Sequence, residues 1–245
     1  MFSNKYIFIY ASVMVVLVAI LLATTATLLK PAQDNNVRIE KMQQILKSAD
    51  ITVEAKDAIA AYDKYIVREL AVDSKGEIVA EFSNQKQVKG NIRPFDINLK
   101  VELKKYDKKE VALFPVFVFK GDKNDTLYIV SLYGKGLWGP VWGNISLKSD
   151  KNTISGVTFG HKGETPGLGA EISEQPFQDQ FKEKQIFDET GKLTSITVVK
   201  GGVKNSTLDP KHGVDAISGG TITSNGTNDM LKDCLHIYEP FLKIK

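Results

Sequence analysis

The chain has 245 residues and a single cysteine, Cys234, so it can form no internal disulfide, and its core must hold by packing alone. Histidine is scarce as well. His161, His212 and His236 stand at no spacing that suits zinc, and a protein-bound metal is not expected. Charge of one sign is missing: 32 basic residues face 29 acidic ones, scattered without a Lys/Arg block of the kind that tracks a phosphate backbone. Nucleic acid is therefore not an expected partner. Internal repeats and low-complexity tracts are also lacking. A hydrophobic share of 42% with 25% charged residues places the body among folded domains and excludes disordered and fibrous classes.

One long apolar run stands out. Residues 6–29 contain no charged side chain, enough to cross a hydrocarbon core of about 30 Å. A cleaved signal peptide is the rival reading, because small residues occur around Ala23 and Ala26. Its apolar region is normally about 7 to 15 residues, however, and the longer run here favours an uncleaved anchor behind a short tail, 1–5. Lys5 precedes the run while Lys30 and Arg38 follow it, which leaves little asymmetry to fix sidedness.

After Lys30 and Pro31, Ile39, Met42, Ile45 and Leu46 recur at helical spacing. Ala55, Ile59, Tyr62 and Ile66 do the same, predicting a second amphipathic helix to about Leu70, before the turn-forming Asp73 to Gly76. Residues 30–72 thus read as membrane-proximal helices and 73–245 as the main domain. In that domain the period changes to two. Ile97, Leu99, Val101 and Leu103 alternate with polar residues, predicting a half-exposed strand. Further strands are predicted over 113–119, 127–132, 145–147, 153–159 and 195–199, joined mostly by Gly, Asn and Asp turns. A short helix is predicted over 175–181. The chain closes with Met230, Leu231, Cys234, Leu235 and Tyr238 on one helical face. The fold class is α+β: an N-terminal transmembrane helix, then a largely antiparallel sheet domain with flanking helices.

Two segments exceed what structure alone needs. In 161–169, three glycines and a proline follow a predicted strand and let backbone approach a ligand, while Glu164 and Thr165 offer an acceptor and a hydroxyl. The plain alternative is a tight strand-to-helix connection. In 215–224, Asp215 leads to Ser218, Gly219, Gly220, Thr221, Thr223 and Ser224, immediately before the last helix. Thr223 or Ser224 is a natural N-cap, and a helix start offers free N–H groups and a positive dipole end to an anion such as phosphate. From physics alone, a well-capped helix is the commoner meaning of such a string.

At these residues the chain resembles the covalent FMN-binding domain family, whose attachment signature Ser218-Gly219-Gly220-Thr221 fits closely, with Gly220 where alanine is more usual. The 161–169 loop is similar to the family's second signature, and the aromatic-glycine segment 136–143 to a further one. The resemblance implies that Thr221 carries FMN as a phosphoester, with Thr223 the next-best acceptor. It implies that Ser218, Gly219 and Gly220 shape the turn, that Asp215 opens the motif, and that Glu164, Thr165, Leu168 and Gly169 hold the ribityl chain and ring. Trp138 would supply pocket wall, and Lys200 a charge near the flavin. In the family a separate magnesium-dependent flavin transferase uses FAD and releases AMP.

Over the full chain the arrangement resembles the singly anchored FMN subunits of sodium-translocating NADH:quinone reductases. That implies an electron carrier without turnover of its own, working with partner subunits between NADH and ubiquinone. It also implies a single-pass protein of the inner membrane with a periplasmic body. The alternatives are the G subunit of the related ferredoxin:NAD reductase complex, a membrane-tethered binding module in which Thr221 only belongs to a helix cap, and a reductase with dissociable FMN. Cys234, His212 and His236 read as structural, and His161 as orienting its loop.

Overall fold

The computed structural model describes residues 3–122 and 125–244, and the chain divides into two units, Met1–Lys41 and Met42–Lys245. The first is helical. Helix α1 (Asn4–Ser48) runs 45 residues and is long and apolar enough to cross a membrane. The anchor and the helical pattern after it form one helix, with Pro31 inside α1, leaving the Thr27 carbonyl without its usual donor. From Met42 onward the helix belongs to the second unit, where Met42, Ile45, Leu46 and Ser48 are buried.

The second unit is built on a seven-stranded sheet in the order β3-β2-β1-β4-β5-β6-β7, antiparallel at every pairing. Its strands are β1 (Ile66–Val72), β2 (Ile78–Ser83), β3 (Lys86–Lys89), β4 (Phe114–Lys120), β5 (Thr126–Lys135), β6 (Pro140–Leu147) and β7 (Ile154–His161). A parallel pair, β8 (Thr197–Val199) with β9 (Gly213–Asp215), stands apart from it. Between β7 and β8 lies the short α4 (Gln175–Gln178), continued by a 3-10 turn to Phe181, as the sequence suggests.

The expected second helix is cut short. Helix α2 covers only Ala58–Tyr65, and the next residues form β1 instead of the helix predicted to Leu70. The 30–72 segment is therefore not wholly helical. The reason is that β1 is covered on both faces: Leu70 and Val72 join one apolar cluster and Ile66 another, so the strand shows no alternation to read. Residues 97–104 are also not a strand. They enter α3 (Leu99–Asp107), whose Leu99, Leu103 and Tyr106 pack on the larger cluster while Val101 is 45% exposed. A helical period of Leu99, Leu103 and Tyr106 overlies the alternation there, and burial selects the helix.

Alternation does hold in the middle of the sheet. Phe117, Phe119 and Ile129 point to one face, with Met42, Ile45, Leu46, Tyr62 and Phe95. Val116, Val118, Val130 and Leu132 point to the other, under the last helix, α5 (Thr221–Lys243). Leu231, Leu235 and Tyr238 of α5 are buried there, and the Tyr238 hydroxyl donates to the Pro115 carbonyl at 3.0 Å. The body of α5 is thus fixed to the sheet by apolar contact, and this sets where its first turn lies.

Candidate functional site

The site forms where α5 begins. Gly219 takes the left-handed conformation (φ +76°), and a Cβ there would stand 2.6 Å from Leu168 Cδ2, so only glycine fits without displacement. Gly220 occupies the N-cap with no side-chain cap, its amide donates to the Ile217 carbonyl at 3.1 Å, and its carbonyl accepts from Ser224 at 2.9 Å. The amides of Thr221, Ile222 and Thr223 accordingly have no acceptor inside the helix and sit at its positive end.

The N-cap expected at Thr223 or Ser224 is three or four residues too late. Both lie inside the first turn with their oxygens committed elsewhere. Ser224 Oγ accepts from the Ile217 amide at 3.1 Å, and the buried Thr223 hydroxyl donates to Glu164 Oε2. With both hydroxyls engaged elsewhere, the N-cap falls to glycine.

A cleft of about 230 Å³ opens at this helix start. The 161–169 loop contributes Glu164, Thr165, Leu168 and Gly169; the motif contributes Gly219, Gly220, Thr221 and Thr223. Two strings read separately in the sequence therefore meet in one place. Leu137 and Ile222 complete the wall, and no lysine or arginine lines it. The sequence reading missed these two, although Leu137 lies in the aromatic-glycine segment and Ile222 between the two threonines. Both are exposed, as Leu168 is, and together they form an apolar rim.

The remaining sequence candidates lie outside the lining. Ser218 sits on the exposed turn before α5. Asp215 ends β9, where its Oδ1 accepts from the Val203 amide and its own amide donates to Gln180 Oε1, each at 2.7 Å. Lys200 follows β8 on an exposed turn. Trp138 is 67% exposed, and its backbone amide donates to Glu164 Oε1 at 2.8 Å. Glu164 is itself 4% exposed, and its amide donates to His161 Nδ1 at 3.1 Å, which is the loop-orienting role expected of that imidazole. Elsewhere Cys234 is a buried core thiol whose pKa burial pushes up to about 12, a setting that disfavours the thiolate.

The FMN-binding domain family matches residues 136–236, which take in the cleft and everything that lines it. The class is thus an FMN-binding domain that follows one apolar helix. The C subunit of the Na(+)-translocating NADH-quinone reductase of Haemophilus ducreyi is 31% identical over 224 residues, covering 87% of this chain and 82% of that one. The C subunit of the Vibrio parahaemolyticus enzyme is 31% identical over 217 residues, covering 85% and 81%. The crystal structure of the C subunit from Parabacteroides distasonis superposes with a TM-score of 0.74 at 40% identity, over 89% of this chain and 98% of that one. That of NqrC from Shewanella oneidensis gives 0.66 at 26% identity, over 85% and 98%. The chain belongs to the family of C subunits of Na(+)-translocating NADH-quinone reductases. Membership of that family favours the quinone reductase over the ferredoxin:NAD reductase alternative.

Proposed function

We propose that the chain carries one FMN in the cleft at the start of α5, joined through a phosphoester to Thr221 Oγ, and relays electrons within a sodium-translocating NADH:quinone reductase. One observation carries the choice of residue. Of the four hydroxyls in 215–224, those of Thr223 and Ser224 are buried and bonded, and Ser218 lies outside the cleft. Thr221 alone is partly exposed and lines it.

The residues present fit the cofactor. A phosphate on Thr221 Oγ would be held by the amides of the first helical turn, which would answer its charge without a lysine. Thr165 offers a hydroxyl to a polar chain, and Leu137, Leu168 and Ile222 offer apolar walls to a flat ring. The bound flavin supplies the one-electron chemistry, and the protein holds it, shields it and sets its surroundings. Attachment uses FAD and a magnesium-dependent transferase, for which the exposed Ser218 and Gly219 form the approach.

The α1 run without ionisable residues anchors the protein in the inner membrane, with the body on the periplasmic side, where a covalent bond prevents loss of the flavin. Such a span cannot make an ion path, so sodium coupling belongs to partner subunits. The chain alone turns over nothing; the oxidoreductase is the complex.

Intact mass of the chain co-expressed with its transferase, beside a Thr221→Ala variant, tests this. Attachment adds about 438 Da, FMN less water, to the wild type only. An unmodified wild type after export would leave a capped helix and no covalent carrier.

A further inference from the structure

Thr221 and Thr223 both line the cleft, two residues apart at the same helix start. A transferase that seeks a threonine beside free helix amides therefore meets two. Their surroundings differ sharply. No hydrogen bond engages the Thr221 hydroxyl among the described residues. Thr223 is 2% exposed, and its hydroxyl is held by Glu164 Oε2.

Glu164 is a built feature. One carboxylate oxygen takes Thr223, the other takes the Trp138 amide, and the residue's own amide is tied to His161, so the loop, the β5–β6 turn and the first turn of α5 meet on one side chain. Two glycines make room for it. A Cβ on Gly169 would stand 2.3 Å from Thr223 Oγ1 and 2.7 Å from Glu164 Oε2, and one on Gly136 would stand 2.6 Å from Oε1. Among the described residues Glu164 makes no ion pair. A buried acid without a cation is retained at a cost in free energy, offset only partly by its hydrogen bonds.

We propose that Glu164 is a positioning residue that selects the acceptor: it withdraws the Thr223 oxygen from the cleft and pins the first turn of α5 so that Thr221 alone is presented. This rests on the reading that Thr221 carries the flavin. In the attachment step the bond from threonine Oγ to phosphorus forms and the pyrophosphate bond of FAD breaks. AMP leaves with the bridging oxygen, and the hydroxyl proton is released to solvent. In-line attack needs a free path to the oxygen. With the Thr223 oxygen buried and its proton already donated to Glu164, that path is closed.

The test is peptide mapping of the flavin label on the full chain co-expressed with transferase. The variants are Glu164→Ala, Glu164→Gln, Thr223→Val and Glu164→Ala with Thr223→Val. The wild type is expected to be labelled on Thr221 only. Glu164→Gln is expected to keep the label there, since its amide still accepts from Trp138 and donates to Thr223. Glu164→Ala should lose about tenfold or more at Thr221, the scale on which a misplaced nucleophile loses rate, and gain a label on Thr223 that the double variant lacks. Thr223→Val tests the tie without touching Glu164, and should lower the yield at Thr221. Wild-type yield on Thr221 alone in Glu164→Ala, wild-type yield in Thr223→Val, or equal impairment of Gln and Ala at position 164 would each overturn the proposal. An unlabelled wild type would instead sink the covalent-FMN reading itself.

Discussion

Gly226 lies inside α5, one turn beyond Thr221 and Thr223, and faces the end of β5. A Cβ there would stand 2.1 Å from the Lys135 carbonyl oxygen and 3.1 Å from its carbon. In an exposed helix, exchanging glycine for alanine stabilises by about 1 kcal/mol, and on sequence alone Gly226→Ala is a stabilising change. The structure reverses the sign. The obstructing atoms are sheet backbone and cannot rotate aside, so α5 must lift from β5, at the upper end of the roughly 1–3 kcal/mol that overpacking costs. The net loss is about 2 kcal/mol, or about 4–8 °C in Tm for a domain of this size. The first turn moves with the helix, so flavin labelling of Thr221 should fall as well. Thermal unfolding of the full chain in detergent, followed by circular dichroism, reads the first effect, and intact mass the second. Asn225→Ala, one residue earlier on an exposed position, controls for helix propensity and should hold or raise Tm. A Gly226→Ala protein at least as stable as wild type would refute the close helix–strand approach on which the placement of the site depends.

Cys234 should resist iodoacetamide at pH 8 in the folded chain and react once unfolded, because burial pushes its thiol up from 9.0 to about 12. The unfolded chain loses this proton first, so the stability it contributes is whole below pH 9 and lost as pH climbs towards 12. Tyr62 and Tyr238, also raised by burial, act in the same direction. Cys234→Ala should make the alkaline fall of Tm shallower, and an unchanged slope would count against it. Arg93→Ala should cost about 3–5 kcal/mol in denaturant unfolding, because it strands the buried Glu69, which Arg93 meets at 2.6 Å. Glu69→Leu with Arg93→Met should cost less than the single change; a double variant that is worse would show that the ion pair contributes net stability.

The site was legible in the sequence because its chemistry is written in short strings. Residues 161–169 and 215–224 each carry their glycines and hydroxyls close together in sequence, and the structure joins them through the Thr223–Glu164 hydrogen bond and the close approach of Leu168 to Gly219. What could not be read was which oxygen faces the cleft. Local rules favour Thr223 or Ser224 as a cap, but the long-range partner Glu164 takes Thr223 and the Ile217 amide takes Ser224, and the helix starts earlier, at Thr221. The fold shows the same division. The β4 and β5 strands alternate between two apolar clusters and announce themselves, whereas β1 is buried on both faces and resembles the end of a helix. Over 97–103, four apolar residues at alternate positions fit a strand, and only the placement of Leu99, Leu103 and Tyr106 of α3 on the core with Val101 outside decides the period. Lys200 and Asp215 stand near the motif in sequence, yet neither reaches the cleft.

A hydroxyl modified by a separate enzyme must be accessible, while a flavin that exchanges electrons must be held still. A threonine on a loop meets the first demand and fails the second, and one in a helix interior does the reverse. The first turn of a long helix reconciles them. The body of α5 is fixed on the sheet by Leu231, Leu235 and Tyr238, and its start is fixed by Glu164, so Thr221 is rigidly placed from both sides while its own hydroxyl stays unbonded among the described residues. The same turn supplies the unbonded amides that a phosphate needs. If Thr221 carries the flavin as proposed, holding the cofactor, exposing the acceptor and answering the charge would be one property of where α5 begins, in keeping with Gly219, Gly220 and Gly226, and no basic side chain, at that helix start.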